Sequence, residues 1–149
     1  MTTIACNKTM MAGDRQFTHS GGMKLLGTTK IYELPKHTCK EVFGCKKAFV
    51  GFCGNADNFA TAIAWLLTPD GPPPKVKGIE MLMLTDKGHI YHATTLLNWT
   101  RFHNKHLAMG SGMNYAQAAM DAGKDPYEAV KIASKNDPNT GMKFNKLIM

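Results

Sequence analysis

The chain opens on a run rich in β-branched and apolar residues, Thr2-Thr3-Ile4-Ala5-Cys6, which predicts a strand beginning at the second position. Asn7-Lys8 predicts a tight turn, and Thr9 to Ala12 a returning strand that ends at Gly13-Asp14. Chain ends normally fray, so a strand that starts at residue 2 suggests a task for the terminus itself. His19 to Gly22 is polar and glycine-bearing and predicts a loop. Thr28 to Leu34 alternates and predicts a strand closed by Pro35. Val42-Phe43 and Ala48 to Phe52 flank Gly44-Cys45-Lys46-Lys47, a pattern that predicts a second hairpin.

The period then changes. Phe59, Ala62, Ile63, Leu66 and Leu67 recur at the spacing of one helix face, with Asn55 or Asp57 placed to cap it. Pro69 and Asp70-Gly71-Pro72-Pro73-Pro74 end that helix. Ile79 to Thr85 and His89 to Ala93 predict a third hairpin around Asp86-Lys87-Gly88. Lys105 to Met109 predicts a short strand that runs into Gly110-Ser111-Gly112. Asn114 to Ala122 predicts a helix with Gly123 just past its end. Asp125-Pro126-Tyr127-Glu128 carries the cap, first-turn proline and acidic residue of another helix start, whose apolar face is Ala129, Val130, Ile132 and Ala133. Asn136 to Gly141 is turn-rich and leads into a short tail. Antiparallel hairpins with helices grouped between them indicate an α+β fold with helices layered on sheets.

A length of 149 residues suits one domain, 1–149, around one core. No apolar run approaches the roughly 20 residues that span a membrane. The first ten residues lack the layout of a secretory signal, so a cytoplasmic protein is expected. The net charge is +7, from 18 Lys and Arg against 11 acids, but only Lys46 and Lys47 are adjacent. That scatter indicates a diffuse basic surface, and no nucleic-acid partner is expected. Cys6, Cys39, Cys45 and Cys53 are expected to be free thiols. His37, Cys39 and Cys45 lack the paired spacing of zinc ligands, and no metal or cofactor is expected.

The candidate chemistry lies at the start of the chain. A terminal threonine carries its own base: the hydroxyl attacks a carbonyl, and the free α-amine accepts the proton directly or through water. An α-amine titrates ordinarily at about 7.7–8.0, close to working pH. A buried lysine beside it lowers that value by like-charge repulsion, and an aspartate holds the lysine. Thr2 becomes terminal once Met1 is removed, Asp14 ends the second strand, and Lys30 lies in the third. Gly51 to Gly54 makes a turn before a helix, whose positive end favours an oxyanion.

Taken in order, these pieces resemble a known family. Thr2-Thr3-Ile4-Ala5, Ala12-Gly13-Asp14-Arg15, Thr29-Lys30-Ile31 and Gly51-Phe52-Cys53-Gly54-Asn55-Ala56-Asp57 come first. Ala108-Met109-Gly110-Ser111-Gly112, Asn114-Tyr115-Ala116, Glu128 to Ala133 and Asp137-Pro138-Asn139-Thr140-Gly141 complete the series. The set resembles proteasome β subunits, the bacterial ATP-dependent proteasome-like peptidase and small bacterial and phage relatives, all N-terminal-nucleophile hydrolases. Lys30 follows Asp14 by 16 positions, which fits the family pattern. The resemblance implies a four-layer αββα sandwich, two antiparallel sheets flanked by helices. It implies Thr2 as nucleophile, Lys30 as catalytic lysine and Asp14 as its acidic partner. Gly54, or Cys53 beside it, corresponds to the oxyanion-hole position, and that stretch is one residue shorter than the usual form. Ser111 corresponds to the serine near the terminal amine, and Asp137 and Thr140 to the Asp-x-x-Ser/Thr-Gly pair that supports it.

The activity implied is that of a threonine endopeptidase acting on polypeptides through an acyl-enzyme ester. The partners implied are a homo-oligomeric ring and an ATPase unfoldase. Relative to the bacterial peptidase, Pro35 to Lys47 is an insertion. A small-amide hydrolase of the same fold is one alternative. A chain that keeps Met1, with its amine blocked, would be a silent assembly homologue. Plainer readings make Lys30 a surface strand residue, Asp14 and Asp137 turn formers, and Ser111 a helix cap.

Overall fold

The computed structural model describes residues 2–18, 24–26 and 29–149. In chain order the elements are β1 (Thr3–Asn7), β2 (Met10–Asp14), β3 (Gln16–Thr18), β4 (Lys24–Leu26), β5 (Ile31–Glu33), α1 (Lys36–Thr38), a π-helical turn (Cys39–Phe43), β6 (Ala48–Gly54), α2 (Ala56–Leu67), β7 (Ile79–Thr85), β8 (Ile90–Ala93), β9 (Thr100–Phe102), β10 (His106–Gly110), α3 (Met113–Asp121), α4 (Pro126–Asn136) and β11 (Phe144–Ile148). One antiparallel sheet has the order β10-β1-β2-β11, and a second runs β5-β6-β7-β8-β9. Among the described residues, strands β3 and β4 pair only with each other.

Side-chain size along the strands explains how the sheets stack. Successive residues face opposite sides of a sheet. In β1 and β2, Ile4, Cys6 and Met11 point into one cluster, which they share with Phe49, Leu82, Leu84 and Ile90 of the other sheet. Their neighbours Ala5 and Ala12 point the other way, onto Ala116, Ala119, Ala129, Val130 and Ala133 of α3 and α4. Alanine on both partners lets those helices lie close to the strands. The second sheet repeats the device: Val50, Phe52, Met81 and Met83 face away from the first sheet and pack on Phe59, Ala62, Ile63 and Leu66 of α2. Three apolar clusters therefore fill the three interfaces of a four-layer αββα sandwich, and the fold class is α+β. Both faces of the central strands are buried, so they read as nearly continuous apolar runs rather than half-polar ones. Ile4 meets Gly51 across the two sheets, where an added Cβ would lie 2.7 Å from the Ile4 side chain.

Most predicted elements form where expected. Asn55, not Asp57, caps α2: its Oδ1 accepts from the Asp57 and Asn58 amides at 3.0 and 3.1 Å. Leu67 is exposed and lies off the buried face. Asp125 accepts from the Glu128 amide at 2.8 Å, and Gly123 takes φ +96 beyond α3. The tail is strand β11, registered along β2 from Phe144↔Asp14 to Ile148↔Met10, and β9 is a strand that the pattern did not indicate.

The second predicted hairpin is absent. Val42-Phe43 belongs to the π-helical turn, which Gly44 ends at φ +63, and β6 pairs instead with β5 and β7. Thr38 and Cys39 are buried there, and Thr38 Oγ1 donates to Leu66 O of α2 at 2.7 Å, which tethers the segment to a helix rather than to a strand edge. The His19 to Gly22 loop and the Thr28 end of the third strand lie outside the described residues. Among the described residues no helix is long and apolar enough to cross a membrane.

Candidate active site

Three strand ends meet at one end of the sandwich. Thr2 immediately precedes β1, Asp14 closes β2 and Lys30 immediately precedes β5. All three are buried, at 2%, 0% and 2% exposure. Thr2 Oγ1 donates to Asp14 Oδ1 and accepts from Lys30 Nζ. Lys30 Nζ lies 3.2 and 3.3 Å from the two Asp14 oxygens and also donates to the Gln16 carbonyl. Asp14 accepts from three backbone amides as well: Thr3 N at 2.9 Å, Gln16 N at 3.2 Å and Gly141 N at 2.9 Å. Burial pushes the Lys30 ammonium below the ordinary lysine range, and the Asp14 charge opposes that shift without cancelling it.

A second group holds the backbone at Thr2. The Ser111 amide donates to Thr2 O at 2.8 Å, and Ser111 Oγ lies 3.5 Å from the same oxygen. Ser111 Oγ donates to Asp137 Oδ2 at 2.5 Å, and Thr140 Oγ1 donates to that oxygen at 2.7 Å. Thr140 Oγ1 is in turn 2.6 Å from Thr3 Oγ1. Burial on its own would raise the Asp137 carboxyl, but the bonds from Ser111, Thr140 and the Asn139 amide outweigh it and hold it below the usual range.

Thr2, Cys53, Gly54 and Ser111 all line one cleft of about 550 Å³, together with Ile79, Glu80, Thr94 and Met113. Gly54 has φ +111 and ends β6, where a Cβ would stand 2.2 Å from Gly78 O. Only glycine accommodates both that conformation and that approach. Burial pushes the Cys53 thiol up to about 12, with Glu80 adding in the same direction, so it is a neutral thiol in the cleft wall.

The structure thus brings together all seven residues singled out in the sequence: Thr2, Asp14, Lys30, Gly54, Ser111, Asp137 and Thr140. It adds Gln16, Gly110, Gly141 and Glu80. Gly141 had a signal, since it ends the Asp137-Pro138-Asn139-Thr140-Gly141 run. The Gln16 carbonyl had none, because a backbone acceptor leaves no mark in residue type.

No protein-family model matches the chain, and no curated protein matches it. Solved structures do. HslV from Trypanosoma brucei superposes with a TM-score of 0.71 at 16% identity, covering 98% of each chain. BPH from Thiobacillus denitrificans, solved in complex with epoxomicin, gives 0.70 at 17% identity, covering 99% of this chain and 97% of that one. The fold is that of the proteasome-type N-terminal-nucleophile hydrolases. Anbu from Hyphomicrobium sp. strain MC1 extends the likeness, at TM-score 0.73, 8% identity and coverage of 99% of this chain and 81% of that one. Thr2, just before β1, lines the cleft, and Asp14 at the end of β2 and Lys30 just before β5 contact its hydroxyl.

Proposed function

We propose that the protein is a threonine peptidase whose nucleophile is Thr2, exposed by removal of Met1. The observation that carries this reading is the contact of Thr2 Oγ1 with both Lys30 Nζ and the Asp14 carboxylate at the wall of an open cleft. A lysine and an aspartate are seldom buried unless paired, and here the pair converges on a hydroxyl.

In the proposed reaction Thr2 Oγ attacks the carbonyl carbon of a peptide bond, and its proton passes to the freed α-amine. Lys30 stabilises the forming alkoxide, and Asp14 holds Lys30 in place. The carbonyl oxygen becomes an oxyanion facing the backbone at Cys53-Gly54. Collapse breaks the C–N bond, and the proton moves from the α-amine to the leaving nitrogen. This leaves an ester on Thr2 that water hydrolyses, returning the proton to Oγ. Ser111, Asp137 and Thr140 fix the carbonyl of Thr2 and so the position of its amine. No cofactor enters this scheme.

The whole of 1–149 acts as one domain in this reading. Anbu from Pseudomonas aeruginosa is described as a helical assembly, which supports self-association here too. The working form is then a cytoplasmic homo-oligomer that admits unfolded polypeptides, with an ATPase unfoldase as the partner that supplies them. Hydrolysis of fluorogenic peptides tests the activity. Thr2→Ala should abolish it and Thr2→Ser should retain part of it, whereas equal rates in Thr2→Ala and the parent protein would exclude Thr2 as nucleophile.

A further inference from the structure

We infer that Glu80 is a specificity residue that favours a lysine or arginine side chain next to the bond presented to Thr2, an inference that rests on the peptidase reading above. In register, Glu80 pairs with Cys53 and Ile79 pairs with Gly54, so the carboxylate stands on the strand beside the backbone that faces the oxyanion. Directly paired residues share a face of the sheet, and neighbouring strands lie about 4.8 Å apart. Leu82, two residues on from Glu80, points between the two sheets. Glu80 therefore stands on that same face, where the sheets open into the cleft that holds Thr2.

The charge pattern there is unlike the rest of the chain. Cations outnumber acids 18 to 11 overall, yet among the described residues lining the cleft the single charged side chain is Glu80. Its Oε2 lies 3.2 Å from His92 Nε2, which orients the carboxylate, while Oε1 has no hydrogen-bond donor among the described residues. In the same cleft the exposed Met113 side chain supplies an apolar wall. A long cationic side chain matches this lining: its methylene stem lies on the apolar wall and its head meets the carboxylate. The Glu80 side chain is 51% exposed, so the pairing is solvent-screened and gives a preference of severalfold rather than an absolute choice.

The test compares kcat/KM for two peptides that differ only in lysine against norleucine beside the cleaved bond, with the substitution made on each side in turn. The parent protein should favour lysine on one side by about two- to fivefold. Glu80→Gln should bring that ratio to about one, and Glu80→Lys should invert it for a glutamate peptide, with folding of both variants checked by thermal melting. Covalent labelling of Thr2 by an epoxyketone is measured alongside. Labelling and turnover with no lysine preference, or with a preference that survives Glu80→Gln, would overturn the role of Glu80 and leave the peptidase reading standing. Absence of both labelling and turnover would overturn the two together.

Discussion

Lys30 Nζ lies 3.2 Å from Asp14 Oδ1, with both side chains almost wholly shielded from solvent. Such a pair is costly to bury, and breaking it by removing one partner is costlier still, because the other charge is stranded. Here the pair is extended by the Thr2 hydroxyl on one side and three backbone amides on the other. Its arrangement serves the position of Thr2 more than the stability of the sandwich.

Lys30→Met should therefore destabilise the fold by about 3–5 kcal/mol, since it leaves a buried carboxylate with amide donors but no countercharge. Asp14→Asn combined with Lys30→Met should cost clearly less than the two single changes added together. Denaturant unfolding of the three variants measures this, and strict additivity would contradict the coupling.

Asp137 ties stability to acid pH. Its folded carboxyl titrates below the unfolded value of about 3.9, so its contribution is present above that pH and is lost as pH falls through it toward the folded value. Asp137→Asn should flatten the acid limb of the stability curve while leaving its slope near neutrality unchanged. Thermal melts across that range check the prediction, and parallel curves for parent and variant would refute it.

Gly110 and Gly123 make a matched comparison. Both have positive φ, +97 and +96, but a Cβ at Gly110 would lie 1.9 Å from Thr2 O, whereas one at Gly123 meets nothing within 4 Å. Gly123→Ala should cost about 1–2 kcal/mol of backbone strain. Gly110→Ala should add about 1–3 kcal/mol of overpacking and displace Thr2, so that labelling of Thr2 is lost with it. Melting temperatures and labelling rates of the pair decide the matter.

Much of this fold was legible because its strands are β-branched and apolar runs bounded by turn residues and its helices have clear caps. Thr2 to Cys6 and Ile79 to Thr85 read as strands by composition, and Asp125 marks a helix start, while the two sizes of side chain, Ile4 against Ala5 and Met11 against Ala12, gain their meaning only once the sheets stack. The segment over Cys39–Phe43 misled because Val42-Phe43 looks like a strand in isolation, and only the Thr38 bond to α2 shows why it coils. Thr2, Asp14 and Lys30 could be singled out by type, order and spacing. Glu80 could not, since its place in the cleft depends on the Cys53↔Glu80 register between β6 and β7, which only the fold supplies.

The most direct test of the central claim is the intact mass of the native protein, with N-terminal sequencing, before and after treatment with an epoxyketone, which attaches through both the hydroxyl and the α-amine of a terminal threonine. The account predicts a chain lacking Met1 that gains one adduct, with the adduct absent in Thr2→Ala. A full-length mass that gains none would contradict it.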